Sequence, residues 1–171
     1  MRKRLHHYSK INTYQFITFR TKNSVDDYIL RLKDNDTYSE SQKQLKIDKH
    51  LDKSEVGRLL NEKVIDLIHD YTKSLEPKYY KLICISIMPN HIHLLIKQNQ
   101  QLEQIMQKLK GGLSFQINKI LERKGTLWDS NYFDKVIRDE KHFQLTYNYI
   151  KHNAVKANLK DADKRFYGMY D

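Results

Sequence analysis

The chain is short of the residues that staple, hinge or interrupt a fold. Its 171 residues include 1 Cys, 2 Pro and 5 Gly. A single cysteine excludes an internal disulfide and points to a reducing cytosol. Cys84 lies inside an apolar run, which predicts a buried thiol rather than a reactive one. So few breakers leave no linker rich in Gly or Pro, and no repeat or low-complexity tract is present. One domain over residues 1–171 follows, long enough to bury a core without disulfides or structural metals. No apolar stretch approaches the roughly 20 residues a bilayer requires. The basic start Met1-Arg2-Lys3-Arg4 is not followed by an apolar signal segment. These absences predict a soluble, cytoplasmic protein with no membrane partner.

Acidic residues are also in deficit. The chain carries 31 Lys+Arg against 21 Asp+Glu, a net charge of +10. That balance favours a polyanionic partner, with nucleic acid ahead of an acidic membrane surface. Candidate contacts are Lys108, Lys110, Lys119, Arg123, Arg138 and Lys156, each of which could equally belong to a solvated charged face. Trp128, Tyr132 and Phe133 are candidates to stack on unpaired bases, with a core role as the bland alternative.

Along the chain, Tyr14 to Thr21 is aromatic and β-branched and reads as a first strand. The polar stretch from about residue 33 to residue 53 reads as a surface excursion or a partly mobile segment inside the domain. Val56, Leu60, Val64, Leu67, Tyr71 and Leu75 recur at helical spacing, with Ser54 and Glu55 near the start and Pro77 beyond the end. Leu82 to Met88 is nearly continuous in apolar residues, as a central strand should be. Pro89-Asn90 predicts a turn, proline for lack of a donor and asparagine for its tolerance of positive φ, and His91 to Ile96 predicts the returning strand. Leu102 to Leu121 repeats at helical spacing, and its Gly111-Gly112 pair implies a close approach by the sheet or by a phosphate. Trp128 to Arg138 reads as a loop entering an edge strand, and Glu140 to Lys156 as a third helix. The order β-α-β-β-α-(β)-α predicts an α+β fold, a ferredoxin-like sandwich with an antiparallel sheet and helices on one face.

Two constellations carry chemistry. On a strand, residues two apart share a face, so His91 and His93 project together while Ile92 turns the other way. Side by side, two imidazoles could take two positions of one divalent ion, or could simply be hydrogen-bonded or exposed. Tyr149 and Asn153 are four apart and share a helix face. A phenol with an ordinary pKa of about 10 is a poor nucleophile without a positive neighbour or a metal. Asn153 could offer its amide oxygen to that metal, although Tyr149 is one of 12 tyrosines and could equally be a core aromatic.

The run Met88-Pro89-Asn90-His91-Ile92-His93-Leu94-Leu95-Ile96 resembles the histidine–hydrophobic–histidine (HUH) motif of the small one-tyrosine transposases, in particular the branch of REP-associated tyrosine transposases. Further stretches resemble that family in the same order. They are Phe16-Ile17-Thr18-Phe19-Arg20, Leu109-Lys110-Gly111, Trp128 to Asp139, and Tyr149-Ile150-Lys151-His152-Asn153-Ala154-Val155-Lys156-Ala157. The resemblance implies that His91, His93 and Asn153 bind Mg²⁺ or Mn²⁺ and that Tyr149 is the nucleophile. It implies an enzyme, monomeric or homodimeric, that nicks and rejoins single-stranded DNA at a hairpin or palindromic repeat through a 5′-phosphotyrosine link, with its substrate in the bacterial nucleoid. A module that grips hairpin DNA or RNA without cutting is the alternative. Two positions depart from the family pattern: Ala154 stands where proline is usual, and Asn158 where glycine is usual. Losing the proline lets the helix run on, and asparagine still tolerates the left-handed conformation.

Overall fold

A computed structural model describes residues 7–171, so the basic Met1–Arg4 start lies outside the described residues. Strand β1 (Tyr14–Arg20) opens the sheet. It leads through a short 3-10 turn to helices α1 (Asp27–Lys33) and α2 (Glu40–Lys53). Helix α3 (Lys63–Ser74) precedes the hairpin of β2 (Tyr80–Ile87) and β3 (His91–Gln98). Then come α4 (Leu102–Ile120), β4 (Phe133–Val136), α5 (Glu140–Lys156), the one-turn α6 (Ala162–Arg165) and β5 (Phe166–Gly168). The strands form one antiparallel sheet in the order β4-β1-β3-β2-β5. The α+β, antiparallel reading of the sequence therefore holds, with β5 added as an unexpected edge. No described helix is long and apolar enough to cross a membrane.

Strand alternation divides the core in two. Ile17, Phe19, Ile85, Ile87, Ile92, Leu94 and Ile96 face α3 and α4, whose Val64, Ile65, Ile68, Ile105, Leu109 and Leu113 close over them. Cys84 and Leu95 point the other way and meet Tyr147 and Ile150 of α5. The expectation of helices on one face is corrected here. α3 and α4 occupy one side and α5 the other, because the out-of-phase residues of β2 and β3 are apolar too and need their own cover. Cys84 is fully buried, and burial raises its thiol pKa above the ordinary value, as expected of an inert thiol.

Two further readings are corrected. The stretch 33–53 is largely helix, not an excursion. Ser39 and Gln42 form a reciprocal capping box that starts α2, and Ile29, Leu32, Ile47 and Leu51 bind α1 to α2 in a small core of their own. The helix expected from Val56 begins only at Lys63. Gly57 sits at φ +70 with the Ser24 backbone so near that a Cβ would stand 2.5 Å from its nitrogen. Leu60 then spends its amide on Pro89 O at 2.9 Å, which ties this loop to the β2–β3 turn.

Candidate active site

His91 and His93 stand at the start of β3 and are both fully buried. Their rings lie 4.8 Å apart and nearly perpendicular. Each Nδ1 is held from behind. His91 Nδ1 is 2.7 Å from Asn90 Oδ1, and His93 Nδ1 is 2.7 Å from Thr18 Oγ1. An amide oxygen only accepts, so His91 carries its proton on Nδ1 and turns the Nε2 lone pair forward. Asn90 has no freedom to turn over, because its Nδ2 donates to Leu51 O at 3.0 Å. The asparagine of the turn is thus not used for positive φ, which it does not adopt. It orients the histidine and ties the end of α2 to the hairpin.

In front of the two rings, both Nε2 atoms are buried with no hydrogen-bond partner among the described residues. The carboxylate of Asp48, from α2, faces them. One ligand atom from each of Asp48, His91 and His93 lies within 4.8 Å of the other two. Asp52, one turn further along α2, brings Oδ1 to 3.8 Å from His91 Nε2. From the opposite side α5 delivers Tyr149, whose hydroxyl donates to Asp48 Oδ2 at 2.7 Å. Its ring meets His93 edge-on with centroids 5.5 Å apart. Asn153 is buried one turn on, its Oδ1 without a partner among the described residues. The helix geometry is as the two departures from the family pattern predicted: α5 runs through Ala154 to Lys156, and Asn158 turns left-handed at φ 56.

The electrostatics describe a site that disfavours every charge it contains. Burial pushes the imidazole of His93 down to about 3, and burial with His93 and Arg20 nearby pushes His91 well below its ordinary value. Burial raises the Asp48 carboxyl to about 6, despite donors from Tyr149 and Gln44 and the charge of Arg20. Burial and then the neighbouring Asp48 raise Asp52 to about 7. Tyr149 is raised above the usual phenol value by burial and by Asp48. Two carboxylates beside two neutral imidazoles, all desolvated, are the surroundings that a divalent cation would reverse. The donor set of two imidazole nitrogens and a carboxylate fits such an ion, with the unpartnered Nε2 atoms turned toward Asp48.

The sequence-predicted residues divide by where they fall. His91, His93 and Tyr149 meet at this site, and Asn153 is buried beside Tyr149 one turn along α5. Asp48 and Asp52 were missed, because they lie in the stretch read as a surface excursion or a partly mobile segment. The Ser39–Gln42 capping pattern and the i, i+4 spacing of Ile47 and Leu51 were the local signals of a helix there. Trp128 is corrected to a core residue: it is 4 % exposed, packs edge-on against Phe19 and donates Nε1–H to Lys110 O at 3.1 Å. Lys110 is partly buried and donates to Asp129 O at 2.7 Å. Lys108 is exposed on α4 and lines a separate cavity with Tyr71 and Tyr79. Arg138 and Lys156 are exposed, just before and at the end of α5. The glycine pair is explained by packing: a Cβ on Gly112 would collide with Tyr71, whereas Gly111 faces open space.

A HUH-type pair of histidines on a central strand, facing a helix-borne tyrosine, defines the class to which the comparisons also point. A protein-family profile described as "Transposase IS200 like" matches residues 56–153. The chain belongs to the IS200-like transposase family. Among solved structures, it is similar to a REP-associated tyrosine transposase bound to a REP hairpin. That match has 15% identity and a TM-score of 0.57, over 90% of this chain and 73% of that one. It is also similar to a transposase of Deinococcus radiodurans, again at 15% identity, with a TM-score of 0.48 over 90% of this chain and 97% of that one. No curated protein sequence matches. At such identity the likeness to the REP-associated transposase establishes a shared fold.

Proposed function

We propose that this transposase cuts and rejoins single-stranded DNA at a hairpin or repeat, through a covalent link between Tyr149 and a 5′-phosphate. One observation carries the reading: the Tyr149 hydroxyl is bonded to a carboxylate that itself faces two unpartnered, buried imidazole nitrogens. His91 and His93 would hold Mg²⁺ or Mn²⁺ with the help of Asp48 and Asn153. Such an ion, when bound, withdraws charge from the phosphate under attack.

The chain's own residues do the rest. Asn90 and Thr18 fix the two imidazoles from behind, so the forward nitrogens need no reorganisation. Asp48 is in position to take the phenol proton as the Tyr149 oxygen attacks phosphorus. The bond from phosphorus to the 3′-oxygen breaks, and that oxygen takes a proton from water and leaves as a 3′-hydroxyl; in the reverse step the attacking 3′-hydroxyl gives its proton back to water. A second 3′-hydroxyl attacking the tyrosyl phosphate reverses the step, and Asp48 returns its proton to Tyr149, so joining needs no nucleotide cofactor. A net charge of +10 suits a DNA substrate.

The test uses a pool of hairpin oligonucleotides with randomised single-stranded flanks, incubated with the protein in Mn²⁺ or in EDTA and run on a denaturing gel. A Mn²⁺-dependent covalent adduct is expected, lost in Tyr149→Phe by more than about 10³-fold, with hairpin binding retained. Adducts that persist in Tyr149→Phe would make another tyrosine the nucleophile. Tight hairpin binding with no adduct would make the chain a binding module.

A further inference from the structure

Beside the Tyr149 hydroxyl lies a groove of about 330 Å³ whose walls come from four separate elements. Phe16 of β1 and Phe133 of β4 line it and meet edge-on, with centroids 6.1 Å apart, and Tyr149 meets Phe16 in the same way at 6.0 Å. Leu45 of α2 and Leu145 of α5 line it as well, and they are 50% and 62% exposed. A soluble domain gains nothing in stability from two large aliphatic side chains left open beside a cluster of rings, so the arrangement points to something that covers them. Lys135 and His142 also line the groove, Lys135 reaching Ser41 Oγ at 3.2 Å.

We propose that this groove receives one unpaired nucleobase of the DNA strand, the base next to the phosphate that Tyr149 attacks. The inference rests on the reading of Tyr149 as the nucleophile, and it adds a recognition site that the chemistry alone does not require. Size supports a base: the space suits one flat heterocycle, not a duplex. Chemistry supports it as well, because aromatic and aliphatic walls bind the face of any base while excluding water. Charge fits, since Lys135 at the same groove is placed to meet the adjoining phosphate. Continuity decides the position, because Tyr149 and Asp48 belong both to the groove and to the site. Gln44 also lines the groove and donates its Nε2–H to Asp48 at 2.7 Å, leaving its Oε1 as an acceptor for a base edge. The α2 side of the groove, with Ser41, Gln44, Leu45 and Asp48, lies before residue 56, where the family match begins. Base preference at the cut is therefore expected to be a property of this chain's own helix.

Two measurements test the groove, one of which needs no cutting. Tyr149→Phe protein is titrated into an oligothymidine strand carrying a single 2-aminopurine, whose emission falls when it stacks on an aromatic ring. Quenching is expected, and it should be lost in the same protein carrying Leu45→Asp and Leu145→Asp, both at exposed positions, with an unchanged circular dichroism spectrum as the check on folding. In the second measurement, an oligonucleotide recovered as an adduct is rebuilt with an abasic site on each side of the cut in turn. One of the two is expected to lower adduct formation about tenfold or more in the otherwise unaltered protein, and to have no effect in the double-Asp variant. Quenching that survives the Asp changes, or equal adduct yield from both abasic strands, would overturn the groove while leaving the nicking reading in place. Absence of any adduct, with quenching still sensitive to the Asp changes, would sink the nicking reading and keep the groove as a base-binding site.

Discussion

The two faces of the sheet are built from the same strands and serve opposite ends. Toward α3 and α4, Ile92, Leu94 and Ile96 join an apolar layer with hardly a polar atom in it. Toward α2 and α5, the alternate residues His91, His93 and Thr18 are polar and buried, and the Nε2 atoms of both histidines lack partners among the described residues. A buried polar atom without a partner costs about 1–3 kcal/mol. The closed face therefore supplies the stability that the open face spends on holding a reactive arrangement without water.

Changes on the open face should destroy chemistry and spare the fold. Replacing both His91 and His93 with Ala is expected to abolish adduct formation. It should also remove the thermal stabilisation by Mn²⁺, which is expected to reach about 2.7 kcal/mol at a hundredfold excess over Kd in the unaltered protein. Scanning calorimetry with and without Mn²⁺ reads the second effect independently of cutting. A Mn²⁺ shift that survives the double change would move the metal elsewhere.

The converse change lies on the closed face. Leu94→Ala, one residue from His93, should cost about 2–5 kcal/mol in a urea titration. Adduct yield per folded molecule should stay within experimental scatter. A large loss of cutting at full folding would break the separation of the two faces.

A smaller effect arises where the faces meet, at the end of β1. There Asp129 accepts from Arg20 and Lys33, and burial holds the Lys110 ammonium down to about 8 from 10.5. Between those two values the unfolded chain binds the proton that folded Lys110 has released. Stability should therefore rise from pH 8 to pH 10.5 and carry its full penalty below 8. Lys110→Met should flatten that rise, which urea midpoints across the window would record.

The smallest expected effects sharpen the contrast within one helix. Gly112→Ala drives a methyl into the Tyr71 ring and should cost about 1–3 kcal/mol. Gly111→Ala, beside it and facing open space, should gain up to about 1 kcal/mol from helix propensity. Thermal melts of the two variants in parallel would show opposite signs.

Much of the open face was legible beforehand. His91 and His93 announce themselves because a strand's period of two is local, and Tyr149 with Asn153 because a helical turn is local. The Met88–Ile96 run and its companions in order located the family. Asp48 was not legible. Its partner Tyr149 is 101 positions away, and nothing in a polar stretch marks one aspartate among several. Trp128 erred in the other direction: an indole in an aromatic-rich stretch of a basic chain resembles a base-stacking platform, and only packing against Phe19 reveals a core role.

What the sequence determined by itself is therefore what short-range periodicity encodes: the alternation of β3, the shared face of Tyr149 and Asn153, the excess of positive charge, and the ordered motifs of an IS200-like transposase. What only the tertiary structure decided is which groups meet across long separations. It divided the helices between two faces, folded α2 against the histidines so that Asp48 reaches Tyr149, and left a groove beside the hydroxyl. The physical reason is that these arrangements depend on burial and on contacts between distant segments, which local spacing does not encode.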